Sequence, residues 1–539
     1  MPADPPFDLM VVGSGPSGAM AASVAVQSGA RVLLIDFGTD DAVHRDEIPD
    51  LPFSRIRSTD AGQDSYFIGR RLEGVPLGEI KVGAQLTPPR QFVNRGAEES
   101  LPVESRDFHP MQSLSLGGLG AAWGAACFTY TEAELRKIGL DPEGFERLYD
   151  EVAGEIGISG PEAGGDEAPW WSGLPAQQPA LNVDSNAQSI LRAYARRRAA
   201  AQASGFAVGR VPMAILSRDM GDRRANPYFD MDFYGDSRKS VFRPRYTIEK
   251  LNDSPLFSYR PGRLAVRFEE HADGVRVFCL RAGEAEVFEG RRLMLCAGAI
   301  NTGRLVLNSL GGAGLRTTLL CNGYTYMPTV NLRMLGREAD DARYSLAQLH
   351  AWVQDGPGAS DNCSVQLYSY RSLLLFKLVK EMPLPPWLGL QAARALVNSF
   401  AICGVFTSDE QSDRKAMRLA APSRDRSPRL EIDYARDEAE ERRRRRLQDR
   451  LAAEMRRIGC FTLRRIDPGQ AASIHYAGTV PFKSPLSPEV SCEPDHRLAR
   501  HKFTYIGDSS SWNWLPSKGL TFTVMASARR IARRALASS

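Results

Sequence analysis

The chain has 539 residues, 43% hydrophobic and 24% charged, an ordinary globular composition with material for a large core in two joined domains. Its 68 basic and 64 acidic residues leave a net charge of +4, which argues against the concentrated basic face that nucleic-acid binding requires. The 8 cysteines include no C-x-x-C pair and the 7 histidines no metal-ligand spacing, so free buried thiols are expected, with neither disulfides nor a metal site.

Residues Met1 to Pro6 carry neither a basic nor an apolar leader segment, and no stretch supplies the ~20 apolar residues of a spanning helix. A cytoplasmic protein is expected. The first element is a buried strand, Asp8 to Val12, followed at once by Gly13-Ser14-Gly15-Pro16-Ser17-Gly18. A helix from Ala19 to Gln27 comes next, Gly29 stops it, and a second strand, Arg31 to Ile35, ends at Asp36. This is a βαβ dinucleotide fingerprint in full context. Gly13 permits the tight turn, Gly15 lets a pyrophosphate approach the backbone, and Gly18 lets helix and strand pack closely. The helix start at Pro16 and Ser17 turns N–H groups and a positive dipole toward the phosphates. Asp36 is placed to accept from ribose hydroxyls and disfavours a 2′-phosphate.

Further along, residues 136–189 hold a helix and a Gly/Pro/Ala-rich surface loop, Gly160 to Pro179. Asp230, Asp232 and Asp236 cluster on a polar loop; they are turn aspartates unless they face a pocket, where they would favour a cationic aminosugar. Arg291 to Thr302 is an apolar strand ending in Ala297-Gly298-Ala299 and opening a helix over Gly303 to Ser309. Thr329 to Met334 alternates like a strand of a substrate-domain sheet. Leu373 to Phe406 is expected to form a Pro-broken helix pair over that sheet, with a lid, a dimer contact or a membrane-touching patch as alternatives. Arg442 to Arg446 follow Glu438, Glu440 and Glu441 in a helical stretch ending near Ile458, a solvated charged helix. Tyr505-Ile506-Gly507-Asp508 ends a strand in Gly-Asp, and Leu520 to Ala535 is the closing helix.

Together these segments resemble the glucose–methanol–choline (GMC) oxidoreductase family, from Asp8 to about Ala535. Leu116 to Gly124, with Gly117, Gly118 and Trp123, is similar to the family's glycine-rich loop over the flavin pyrophosphate and ring. Leu264-Ala265-Val266 is similar to the strand whose backbone holds the adenine, and Gly298 to Ser309 to the family's second signature. His475-Tyr476-Ala477-Gly478-Thr479 is similar to its H-x-x-G-T motif, whose histidine is the base above flavin N5. Asp508 matches its flavin-contacting aspartate.

The resemblance implies an α/β protein: an FAD/NAD(P)-binding Rossmann-like fold with an α+β, GMC-type substrate domain. The FAD-binding domain would comprise 1–40, 105–135, 190–315 and 470–539, with 41–104 and 136–189 as connecting or lid segments and 316–469 as the substrate-binding domain. The cofactor implied is non-covalent FAD, because Ala122 stands where some members carry a linking histidine. Its contacts would include Gly13, Gly15, Pro16, Ser17, Gly18, Asp36, Gly117, Gly118, Trp123, Val266, Ala297, Gly298, Gly507 and Asp508. The activity implied is oxidation of a primary or secondary alcohol, on a sugar, aminosugar or polyol, to a carbonyl. His475 takes the hydroxyl proton, hydride passes to flavin N5, and oxygen or another acceptor takes the electrons. Where the family has a second active-site His or Asn, this chain has Gly519, so Lys518 or Asn513 is expected to take over that role. His109 is the reserve candidate for the base. The alternatives are an FAD-containing isomerase or mutase, a sterol or lipid alcohol oxidase, and a non-enzymatic FAD-fold protein. Nothing in the sequence sets an oligomeric state.

Overall fold

The computed structural model describes residues 7–40, 47–70, 87–161, 177–311, 314–338, 340, 342–369 and 383–537. His44, most of the Gly160 to Pro179 loop and Leu373 to Met382 lie outside them.

A parallel sheet of five strands runs in the order Thr504–Ile506, Leu293–Leu295, Leu9–Val12, Val32–Ile35, Phe257–Arg260. Its inner strands are buried on both faces, which is why they read as unbroken apolar runs. Successive side chains serve opposite layers. Leu9, Val11, Val32 and Leu34 meet the helices Pro16–Gln27 and Thr521–Ala537 in one core. Met10, Val12, Leu33 and Ile35 meet the helix Ala299–Leu310 in another. Helices on both faces of a parallel sheet make this the doubly wound α/β layer expected from the fingerprint. A three-stranded meander, Leu264–His271, Gly274–Arg281 and Glu284–Gly290, packs on the second core through Phe268, Val275 and Val277.

The second large sheet is antiparallel, in the order Cys460–Thr462, Gly323–Asn331, Phe400–Thr407, Asn362–Ser369, Leu349–Gln354, Phe206–Arg210. One face, with Met327, Cys363, Val365, Cys403 and Val405, packs on the helices Ser185–Ala195 and Glu438–Arg457. The latter is opened by a capping box between Asp437 and Glu440, with acidic residues in its first turn and arginines in its last. The other face carries Tyr324, Tyr326, Gln366, Tyr368 and Phe406, the alternate positions of the same strands.

Two expectations need correction. Residues 190–210 do not belong with the dinucleotide layer, because Phe206–Arg210 is the edge strand of the antiparallel sheet and pairs with Leu349–Gln354. The stretch Leu373 to Phe406 ends in a strand where a helix was expected: Pro386–Leu396 is a helix, Phe400–Thr407 is a central strand, and the first half of the expected helix pair lies outside the described residues. Nearly every residue of that strand is buried, so its apolar run hides the alternation that marks a strand. All eight cysteines are buried and unpaired. Among the described residues no helix is long and apolar enough to cross a membrane, and no three His, Cys, Asp or Glu side chains gather as metal ligands.

Candidate active site

A single long cavity connects the two sheets. One end is formed by the Gly13–Ser17 turn, Asp36 and Val266, the middle by Gly118, Ala297, Gly298 and Asp508, and the far end by Trp123, His475 and the aromatic sheet face.

The glycines of the fingerprint divide into two kinds. Gly13 sits at φ 101°, and a Cβ there would overlap the Cys296 carbonyl. A Cβ on Gly18 would overlap the Gly13 carbonyl oxygen, so this glycine lets helix and strand touch. Gly15 differs, because its Cβ would meet nothing nearer than the Gly117 carbonyl at 4.0 Å. Its bare face lines the cavity. Ser14 donates its hydroxyl to Asp36 and accepts the Gly117 N–H at 2.9 Å, tying the turn to the glycine-rich loop. Burial pushes the Asp36 carboxyl up to about 7 against the hydrogen bonds from Ser14 and Tyr259. Val266 lies at a bulge, between Ala265 and Arg267, where the ladder slips; its carbonyl accepts from Asn308 Nδ2 at 2.8 Å.

Asp508 holds the centre. Its Oδ2 accepts from the Gly298 N–H at 2.9 Å and from Thr302 Oγ1 at 2.6 Å, while its Oδ1 accepts from the Ser510 N–H at 3.0 Å and the Ser510 hydroxyl. The carboxylate therefore closes the N-terminus of Ala299–Leu310, and burial raises its pKa.

The far end is assembled by pairing Tyr476–Ala477 with Leu320–Cys321, which brings Asn322 beside His475. Asn322 Nδ2 donates to the Thr407 carbonyl at 2.9 Å and the Pro516 carbonyl at 2.8 Å. Its Oδ1 must then face His475 Nδ1, 3.0 Å away. An amide oxygen only accepts, so Nδ1 carries the imidazole proton and Nε2 keeps its lone pair. The ring stacks on Phe406, with centroids 5.0 Å apart and planes at 18°. Burial lowers the His475 pKa to about 4, leaving a neutral ring at physiological pH. Just before it, Ile474 holds φ 61°, a left-handed conformation costly for a β-branched residue.

No family model matches the sequence, and no curated protein is detectably similar to it. Solved structures do match, over 98% of this chain and 98% of theirs. They include pyridoxine 4-oxidase from Mesorbium loti, with TM-score 0.55 and 15% identity. Formate oxidase from Aspergillus oryzae RIB40, solved in a study of FAD modification, gives TM-score 0.58 and 12% identity. An FAD-dependent oxidoreductase from Chaetomium thermophilum gives TM-score 0.57 and 12% identity. The chain shares the fold of these solved oxidases and oxidoreductases.

Within this fold the cavity gathers Gly13, Gly15, Pro16, Ser17, Asp36, Gly118, Trp123, Val266, Ala297, Gly298, His475 and Asp508. Gly18, Gly117 and Gly507 stay behind its wall. Gly507 is a packing glycine, where a Cβ would press on Met294 and Cys296. The two residues expected to replace the second His or Asn do not reach the cavity. Lys518 is 2% exposed and turns inward, donating to Glu134 Oε2 at 2.7 Å and the Thr129 carbonyl at 3.3 Å; the residues that follow it, Gly519, Leu520 and Thr521, line the cavity. Asn513 points elsewhere too, its Oδ1 accepting the Lys483 N–H at 3.0 Å. The amide beside His475 is Asn322, which the sequence reading missed. No local signal marks it, because strand pairing brings it across 153 residues. His109 is exposed and off the cavity. Asp230, Asp232 and Asp236 are spent internally, on Arg343 Nε at 2.9 Å, the Ser345 N–H at 2.6 Å and the Ser240 N–H at 2.8 Å.

Lys518→Met would leave Glu134 as a buried charge without its partner. A loss of about 3–5 kcal/mol is expected, read as a lower Tm. An unchanged Tm would show that the pair contributes nothing.

Proposed function

We propose that the cavity binds FAD and that the chain uses it to oxidise an alcohol carbon to a carbonyl. The observation that carries this reading is the Asn322-held His475 at one end of a cavity whose other end is a dinucleotide turn. The residues fit the cofactor. Gly15 leaves open the space that a Cβ would occupy, Asp36 offers a carboxyl to ribose hydroxyls, and Ala122 carries no group able to form a covalent link. Bound FAD would supply the two-electron acceptor, with oxygen or another oxidant regenerating it.

The chain's own residues supply a base, its orientation and a dry wall. Asn322 keeps the proton on Nδ1, so Nε2 is the nitrogen that takes the proton of the substrate hydroxyl. Phe406 holds the ring plane and covers one face from water. A pKa near 4 makes this a weak base that is always unprotonated at working pH. Alcohol oxidation is expected to stay level from pH 8 down to about 5 and to fall as the pH approaches 4, where the imidazole protonates. A rate profile falling already between pH 7 and 6 would contradict this environment.

Trp123, Tyr324, Tyr326, Tyr368 and Phe406 wall the His475 end, with Gln366 among them. These surfaces favour an alcohol carried on a flat ring over the sugar or polyol expected from the sequence. The aminosugar loses its motive, because the three aspartates face elsewhere. Incubation with ring-bearing primary alcohols, polyols and sterols, followed by mass spectrometry, tests the reaction. A product lighter by two hydrogens supports oxidation, whereas an isomer of unchanged mass would replace it with the isomerase reading.

A further inference from the structure

The helix Ala299–Leu310 turns Asn301, Arg304 and Leu305 toward the cavity, and Asn308 on the same face holds the Val266 carbonyl. Arg304 is 3% exposed. Its guanidinium donates to Ser427 Oγ at 3.1 Å, the Leu101 carbonyl at 3.2 Å and Gln112 Oε1 at 3.0 Å, all neutral acceptors. Its Nε is buried without a partner, and so is Asn301 Oδ1 one turn earlier.

Other buried arginines have a carboxylate for company. Arg343 meets Asp230 at 2.9 Å, Arg529 meets Glu151 at 3.3 Å, and the charges of Asp236 bear on Arg90, Arg223 and Arg243. Among the described residues none does this for Arg304, and burial alone acts on it, drawing its pKa down to about 9. It stays charged at neutral pH. A buried charge with no counter-charge is costly unless something else neutralises it, and Arg304 is among the residues that line the cavity.

We propose, building on the FAD reading above, that Arg304 supplies the counter-charge for the phosphates of the dinucleotide. A guanidinium suits this task, since it stays cationic when buried and presents several N–H donors to phosphate oxygens. Riboflavin, which has the same ring system and no phosphate, gains nothing from such a group.

The test is a fluorescence titration of flavin-free full-length protein with FAD and with riboflavin. Arg304→Met is expected to weaken FAD binding at least tenfold and to leave riboflavin binding unchanged, while Arg304→Lys recovers most of the FAD affinity. Arg304→Gln, which can keep a hydrogen bond to Ser427 or Leu101 without the charge, should show the same selective loss, and it stands in if the Met variant does not fold. FAD affinity within twofold of wild type in a folded neutral variant would overturn the proposal. Equal loss of FAD and riboflavin would also overturn it, by making Arg304 a packing residue. Wild-type protein that binds neither flavin would instead refute the FAD reading itself.

Discussion

His475→Ala is expected to remain folded and flavin-bound while reducing its flavin ~10²–10⁴ times more slowly than wild type. The ring contributes one side-chain hydrogen bond, to Asn322, and a stack on Phe406. Truncation leaves the Asn322 oxygen unpaired at a cost of about 1–3 kcal/mol, which a protein of this size should tolerate. Rapid-mixing records of flavin bleaching, run beside a thermal melt, separate the chemistry from the fold. Bleaching at a near-normal rate in a folded variant would remove His475 from catalysis. Asn322→Leu probes the positioning role: it keeps bulk but frees Nδ1, so the proton can occupy either nitrogen. A smaller fall in bleaching rate is expected there, with kcat lowered and KM unchanged.

The second large effect divides the fingerprint glycines. Gly18→Val places its side chain against the Gly13 carbonyl, where only backbone could move, and should abolish folding of the dinucleotide layer. Gly15→Val meets open space, with its nearest neighbour at 4.0 Å, so the chain should fold and melt normally. Its added atoms project into the cavity and should exclude FAD. Expression as soluble protein and the flavin content of each variant distinguish the two. A Gly15→Val protein carrying a full complement of FAD would mean that the turn does not face the cofactor.

The contrast between these glycines also marks what was legible in the sequence. The fingerprint could be read because strand, turn, helix and acid are neighbours in the chain, and local spacing fixes their geometry. Four of the five parallel strands were legible for the same reason, as apolar runs closed by Gly or Asp; the edge strand Phe257–Arg260, half-exposed and polar, was not. Asn322 was not, since its place beside His475 depends on the pairing of Leu320–Cys321 with Tyr476–Ala477. Lys518 misled in the opposite way. Its neighbour Gly519 does line the cavity, but adjacency along the chain does not set a side chain's direction, and Glu134 draws the amine inward. The edge strand Phe206–Arg210 is too short for its membership of either sheet to be read without its partner. The cavity-facing positions of Phe400–Thr407 were hidden because Gly404, opposite Tyr326 and Gln366, interrupts the aromatic alternation.

A flavin and a base acting together within one cavity should respond to anaerobic titration of the purified protein with a ring-bearing primary alcohol. The flavin absorbance is expected to bleach in proportion to alcohol added, with FAD released into solution when the protein is acid-precipitated. A protein that purifies without flavin, or a bound flavin that no alcohol bleaches, would contradict that expectation.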